Sequence, residues 1–299
     1  MKALILGSAA GGGSPQWNCL CPVCELFWNG DGRVKRRTQS SIAISADDSN
    51  WLLINCSPDI REQIGAIKAL QPKSGKRHSP INSVVLTNGD IDHIGGLINL
   101  REAHAFSIWA SAAVIDQINA NPIFGVLNRS LVSFYTIEPN VGFSPIAGLD
   151  MMAFDVPGKV PLYREETGTP EVSRNGNTIG MHVRHRSSIL SYVPGCGNID
   201  EQLLGDLRDT DTLLFDGTLW TDDEMIRTQT GIKTGRRMGH VPVSGDDGAM
   251  AQLQSLGAKR KIFVHLNNTN PLLIDNSPEQ IAAREQGWLV AHDGMEIIL

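Results

Sequence analysis

The densest cluster of chemically useful side chains is Thr87-Asn88-Gly89-Asp90-Ile91-Asp92-His93-Ile94-Gly95-Gly96. Two carboxylates and an imidazole fall there within four residues, directly after the apolar run Ser83–Leu86. Loops at the carboxyl ends of strands are where a sheet fixes ligands and metals in position. The same residue types also suit an Asx-rich turn that caps a following helix, with Asp92 as the N-cap. Two distant histidines bear on that choice. His265 ends the apolar run Lys261–His265 and leads into Asn267, Asn268, Thr269 and Asn270, while His240 lies in Gly239-His240-Val241-Pro242. A lone strand-end histidine is more often a satisfied core residue, but a strand-end Asp/His cluster together with a second strand-end histidine is a stronger signal for a metal. Cys19, Cys21 and Cys24 form a third group, C-x-C-x-x-C. Cysteines this close rarely pair comfortably with one another, yet they can converge on one metal ion.

Short apolar runs give the elements that must position these groups. Strands are expected at Lys2–Leu6, Ser40–Ser45, Trp51–Asn55, Ser83–Leu86, Ile108–Ala110, Val132–Ile137, Met151–Val156, Met181–Val183, Ile189–Val193, Leu213–Asp216 and Lys261–His265. Trp288–Val290 and Glu296–Leu299 read as a terminal hairpin around Asp293–Gly294. Helical spacing marks Asp59–Leu70, Gly95–His104, Glu201–Leu207, Ala249–Leu256 and Pro278–Gln286. Gly11-Gly12-Gly13 lacks the G-x-G-x-x-G spacing of a dinucleotide loop, and no clear helix follows it. Pro157–Asn177, rich in Pro, Gly, Thr, Glu and Arg, reads as a long surface loop able to cover a site. Strands outnumber helices, an order that two sheets covered by helices accommodate. An open α/β sheet fits the periodicity equally well.

With 299 residues, 41% apolar and 19% charged, the chain is long enough for a large core and is not disordered. Its net charge of −6 argues against nucleic acid or an anionic membrane as partner. No apolar run approaches the roughly 18 residues of a spanning helix. The apolar stretch at the N-terminus is too short for a signal peptide, so a cytoplasmic location is expected. Five cysteines are an odd number and no disulfide framework, and Cys56 and Cys196 read as free and structural.

Thr87–Gly96 resembles the T-H-x-H-x-D-H-x-x-G loop of the metallo-β-lactamase superfamily. His265 resembles the late metal-binding histidine of that fold, and Gly239-His240 its G-H segment. A narrower resemblance is to the branch found in pyrroloquinoline quinone (PQQ) biosynthesis. It rests on Pro15-Gln16-Trp17-Asn18-Cys19-Leu20-Cys21-Pro22-Val23-Cys24, Ile54-Asn55-Cys56-Ser57-Pro58-Asp59 and His265-Leu266-Asn267-Asn268-Thr269-Asn270-Pro271, and it runs from Met1 to Leu299. The resemblance implies an α/β (α+β) αββα sandwich of two mixed sheets flanked by helices. It implies one domain over 1–299, with a structural zinc loop near 15–24.

Departures from the hydrolase pattern sharpen what the resemblance implies. Asn88 and Asp90 stand where the superfamily loop has its first two histidines, and Tyr192–Gly197 lacks the bridging aspartate. Zn²⁺ prefers imidazole to amide oxygen, so the first site of a dinuclear pair should be weak or absent. That argues against a two-metal hydrolase such as a phosphodiesterase. Asp92, His93 and His265 remain, the ligand set of facial-triad Fe(II) oxygenases, although the set also accommodates Zn²⁺. Asp90 is then a fourth ligand or a nearby catalytic base, and His240 a catalytic proton carrier, a substrate-binding group or an outer partner of the metal ligands.

Cys19, Cys21 and Cys24 resemble a structural zinc site. In a related phosphodiesterase group its fourth ligand is a histidine at the position of Asn268, which leaves an asparagine oxygen, another histidine or water. The reaction implied is O2-dependent hydroxylation of the tyrosine ring in a peptide-derived Glu–Tyr intermediate. Asn88, Arg184, His185 and Asn268 are expected to bind that substrate, with Arg186, Arg236 and Arg237 as further cations for its carboxylates. A non-catalytic carrier of finished PQQ is the rival reading. A homodimer is left open as the assembly.

Overall fold

Trp51-Leu52-Leu53-Ile54 is buried at every position, as a strand covered on both faces must be. The same holds for several of its neighbours, and the result is two sheets face to face. The structure, a computed structural model, describes residues 1–165 and 172–299. In the first sheet, β1 (Lys2–Gly7), β2 (Ser41–Ser45), β3 (Trp51–Ile54), β4 (Ile81–Val85), β5 (Phe106–Ala110) and β6 (Val132–Thr136) lie side by side in chain order. The second sheet contains β7 (Gly142–Phe143), β8 (Asp150–Asp155), β9 (Ile179–His185), β10 (Ser188–Val193), β11 (Thr212–Asp216), β12 (Arg260–Val264) and β13 (Trp288–Val290). The last strand, β14 (Glu296–Ile298), returns to the first sheet beside β1.

Both sheets are mixed. β3 to β6 run parallel, as do β10 to β13, while the remaining pairs are antiparallel. Ile42, Ile44, Leu52, Ile54 and Val85 of one sheet pack on Met181, Leu190, Tyr192, Leu214 and Val264 of the other. Helices cover the outer faces. Ile60, Ile94, Leu97, Val114 and Ile118 close the first sheet, and Val23, Leu203, Leu207, Leu253 and Ala283 close the second. The architecture is therefore an αββα sandwich. No helix among the described residues is long and apolar enough to cross a membrane.

Several expected elements change. The terminal hairpin does not form, because Trp288–Val290 pairs with Lys261–Phe263 and Glu296–Ile298 with Lys2–Leu4, in different sheets. Its turn is held from outside: Asp293 accepts from the backbone N–H and hydroxyl of both Ser8 and Thr38 at 2.6–2.9 Å. Asp59–Leu70 breaks at extended Ile67 into a helix, Ile60–Ala66, and a 3-10 turn, Lys68–Leu70. The helix after the metal loop starts earlier than expected, at Ile91, and becomes a 3-10 turn over Gly95–Leu100. In the described residues, four helices have no counterpart among the expected ones, two of them the short turns Glu224–Arg227 and Gly235–Met238. Pro22–Trp28 begins inside the cysteine motif with Pro at its first turn, and Ala112–Ala120 is capped by the Ser111 side chain. Of Pro157–Asn177, residues 166–171 lie outside the described residues.

Two consequences of the packing are testable. Gly96 donates its N–H to the Cys56 carbonyl at 2.9 Å, and a Cβ on it would come within 2.0 Å of the Ser57 carbonyl oxygen. Gly96→Ala must separate the metal loop from the β3 end, and we expect it to cost about 1–3 kcal/mol or more in denaturant unfolding. An unchanged midpoint would mean that this close approach is absent.

His182 lies on β9 with Nδ1 2.8 Å from the Ser191 hydroxyl and its ring 4.4 Å from that of Phe154. Burial, aided by nearby Arg184, pushes its pKa down from 6.5 to about 4. The unfolded chain therefore binds a proton that the folded chain refuses. Stability is expected to fall as pH drops from about 6.5 towards 4, by at most about 3 kcal/mol from this group. Urea titrations across that window should show a shallower pH dependence in His182→Gln.

Candidate metal centre

Apart from His240, which follows the helix Gly235–Met238, the groups of the centre stand at or just beyond the carboxyl end of a parallel strand. Chain direction thus brings distant segments to one edge of the sandwich. β4 leads into Asn88–His93, β10 into Gly195 and Cys196, β11 ends on Asp216, and β12 leads into His265. Asp90 is the N-cap residue of the single-turn helix Ile91–Ile94, which carries Asp92 and His93 as its second and third residues. Its backbone is tied to the β3 end by a 2.7 Å hydrogen bond from Cys56 N–H to the His93 carbonyl.

Asp92, His93 and His265 converge. Asp92 Oδ2 is 3.0 Å from His265 Nε2 and 3.7 Å from His93 Nε2, and the two imidazole rings meet edge to face at 5.3 Å. His93 Nε2 is buried without a hydrogen-bond partner. A buried polar atom left unpaired beside a second imidazole and a carboxylate fits a divalent metal ion. The charge states of His93 and Asp92 agree with that fit. Burial lowers the His93 pKa to about 4, so the ring is a neutral ligand at physiological pH. Asp92 is also buried, but His93 and His265 outweigh the burial and hold its carboxyl well below the usual range. At His265 burial favours the neutral ring, but the carboxylates of Asp92 and Asp216 outweigh it and raise its pKa, so an incoming cation would have to displace a proton there.

Beside these ligands lies a hydrogen-bond network that the sequence reading had not assembled. Asp216, wholly buried, accepts from Cys196 N–H at 2.9 Å, Thr218 N–H at 3.0 Å, the Thr218 hydroxyl at 2.6 Å and His240 Nδ1 at 2.7 Å. With its hydroxyl proton given to Asp216, Thr218 Oγ1 accepts from His265 Nδ1 at 2.8 Å. That fixes the His265 tautomer whose Nε2 lone pair faces the metal position. His240 is held likewise through Nδ1, which leaves its Nε2 free for other chemistry, and its ring stacks on His265 at 5.3 Å. The segment Tyr192–Gly197 carries no acid, and the carboxylate in this part of the site comes from the next strand. Its sequence signal was an aspartate closing the apolar run Thr212–Asp216 before Gly217-Thr218.

The other expected site residues divide. Asn88 is buried, accepts from Asp90 N–H at 3.0 Å and lies with His240 around Gly195. Burial and repulsion from Asp92 raise the Asp90 carboxyl above its ordinary value. Among the described residues, Asp90 belongs to neither of the two carboxylate–histidine groups compact enough to share one ion. Arg184 and His185 do not reach the centre. Ile179 is the end of β9 tied to Thr87, and His185 lies six residues away, roughly 20 Å along the strand, bonded to the Gly148 carbonyl. Arg186 occupies the β9–β10 turn at the same far end. Arg236 is paired with Asp247 at 2.5 Å, whereas Arg237 reaches Glu165.

Asn268 is also placed differently from its expected substrate-binding role. Its Nδ2 lies 3.2, 3.6 and 3.4 Å from the sulfurs of Cys19, Cys21 and Cys24. The three sulfurs lie within 4.8 Å of one another. Hydrogen bonding from Cys21 and Asn268 lowers the Cys24 pKa to about 6 despite burial, so one thiolate forms readily. Three sulfurs facing one amide fit a closed metal site in which the amide turns its oxygen inward.

Two mixed sheets with an Asp/His cluster at their carboxyl edge define a metallo-β-lactamase-like protein. The description "Beta-lactamase superfamily domain" matches residues 50–266. Coenzyme PQQ synthesis protein B of Methylobacterium sp. (strain 4-46) is 50% identical over 300 residues, covering 100% of both chains. A crystal structure of Zn(2+)-bound PqqB from Methylobacterium extorquens superposes with a TM-score of 0.98 at 47% identity, again over 100% of both chains. A diphosphatase from the PhnP family shares the fold at a TM-score of 0.69 and 20% identity, covering 99% of this chain and 97% of its own. The chain belongs to the β-lactamase superfamily and, within it, to the family of coenzyme PQQ synthesis protein B.

Proposed function

We propose that the protein acts in PQQ biosynthesis as an Fe(II)- and O2-dependent hydroxylase of the tyrosine ring in a peptide-derived Glu–Tyr intermediate. The observation that carries this reading is the set Asp92, His93 and His265, with His93 Nε2 buried and unpaired. Two imidazoles and one carboxylate leave positions open for O2 and substrate. Iron bound by these residues would supply the activation of O2 that ring hydroxylation needs, one oxygen atom going to the ring and the other leaving as water with two electrons from an external reductant.

The chain's own residues do the rest. Asp216 holds His240 by Nδ1, so that Nε2 can take and return the phenolic proton of the ring. Asn88 presents an amide beside His240 to orient the substrate. Asp90, its carboxyl raised by burial and by Asp92, is a proton store at the same edge. Zn²⁺ on Cys19, Cys21 and Cys24 would fasten the N-terminal loop against Asn268, three residues from His265. Reduced thiols at that site suit the cytoplasm.

The test is anaerobic loading with Fe(II), then addition of a tyrosine-containing dipeptide, a reductant such as ascorbate and O2, with mass spectrometry for added oxygen. Oxygen gain with iron but not with zinc is the expected result. No gain, combined with tight binding of finished PQQ, would replace the hydroxylase by a carrier.

A further inference from the structure

The fold itself demands glycine at several places around the metal centre. A Cβ on Gly89, Gly96 or Gly217 would run into the Gln117 side chain, the Ser57 carbonyl or the Phe263 side chain, and Gly239 has a left-handed φ of +87°. Gly195 is different. Its φ lies outside the left-handed region. Among the described residues, a Cβ on it would meet only His240 Cε1 at 3.8 Å and Asn88 Nδ2 at 4.0 Å, both ordinary van der Waals distances. Backbone and packing therefore accept alanine here. What glycine adds is a small recess between two polar side chains.

Asn88 is only 6% exposed, and Asp90 N–H, donating to its Oδ1 at 3.0 Å, fixes which end of the amide is which. Nδ2 is thereby turned towards the recess, and no acceptor among the described residues takes its hydrogens. A buried donor left unpaired is costly, and a ligand that accepts from it removes the cost. On the other side, His240 gives its Nδ1–H to Asp216, so in the neutral ring Nε2 holds the lone pair. An amide donor and an imidazole acceptor thus border one small space. A hydroxyl suits the pair, because its oxygen accepts from Asn88 while its O–H donates to His240. A carboxylate or a quinone carbonyl can only accept. We propose that Gly195, Asn88 and His240 form a subsite for the phenolic hydroxyl of the ligand, and that Gly195, by keeping the recess open, sets specificity for tyrosine over phenylalanine. That the hydroxyl belongs to a tyrosine ring rests on the function proposed above; the pairing of donor and acceptor beside Gly195 does not.

A site built to hydrogen-bond a hydroxyl rejects the analogue that lacks it, because its own polar groups are then left unpaired. The experiment is calorimetric titration of the zinc-loaded full chain with a Glu–Tyr dipeptide and a Glu–Phe dipeptide, for wild type and Gly195→Ala. Wild type is expected to bind the tyrosine peptide about tenfold more tightly. In Gly195→Ala the new methyl takes the place of the ligand's oxygen. Binding of the tyrosine peptide should weaken about tenfold, while that of the phenylalanine peptide stays within about twofold. Zinc content and thermal melting should keep their wild-type values. Equal binding of the two peptides by wild type overturns the proposal, as does binding of neither. So does a tyrosine preference that survives in Gly195→Ala, or a lowered melting temperature, which would show that the protein itself fills the recess. The oxygen-gain assay reads the proposed function separately. A tyrosine preference that Gly195→Ala removes, without oxygen gain by wild type, would leave the subsite standing and remove the hydroxylase. Oxygen gain with equal binding of both peptides would do the reverse.

Discussion

His265→Ala is expected to abolish metal binding at Asp92, His93 and His265 while metal binding at Cys19, Cys21 and Cys24 persists. His265 supplies one of two Nε2 atoms at that position, and its Nδ1 joins the centre to Thr218 and Asp216. Loss of an outer hydrogen-bond partner costs about 10–100-fold in metal affinity, and loss of a ligand itself should exceed that. Asp92→Ala should act in the same direction and leave two neutral imidazoles without a charge-balancing carboxylate. Metal content measured after gel filtration separates the two sites, because the thiol cluster uses other side chains. Simultaneous loss of both metals would show that the sites are not separate. Retention of both would show that His265 is no ligand.

His240→Ala is the second large effect. His240 Nδ1 is committed to Asp216, leaving Nε2 as the atom that can exchange a proton with substrate. General acid–base groups contribute about 10²–10⁴-fold to rate, so turnover should fall by that order with metal content unchanged. Asp216→Asn should lower the rate in the same direction by freeing the wrong ring tautomer, while the retained amide keeps much of the hydrogen bonding. The split between kcat and KM decides the role. A fall confined to kcat marks a proton carrier, and a rise in KM alone marks a group that only binds substrate.

Much of the centre is legible in the sequence because each main group closes an apolar run. Asp90 to His93 follow β4, and His265 follows β12, so polar residues at strand ends mark the edge where ligands gather. The spacing of Cys19, Cys21 and Cys24 is visible in the same way. Other features depend on which strands become neighbours. Asp216 closes its strand as any capping aspartate would, and it gains meaning only because β10, β11 and β12 run parallel with their ends aligned. Arg184 and His185 also follow apolar residues, but antiparallel pairing of β9 with β10 turns their end away from the centre.

Asn268 reaches the thiols only after the loop beyond β12 folds back on a helix near the opposite end of the chain. Trp288–Val290 and Glu296–Ile298 have the local pattern of a hairpin, yet Ser8 and Thr38 hold the turn between two sheets. Local chemistry identifies edge groups well, whereas long-range pairing decides which edge they share.

The most direct test of the account is turnover of Fe(II)-loaded protein with the tyrosine-containing dipeptide and a reductant under isotopically heavy O2, read by mass spectrometry. The account predicts heavy oxygen on the ring in wild type and none in His265→Ala. Product that carries only oxygen from water, or label that persists in His265→Ala, would contradict it.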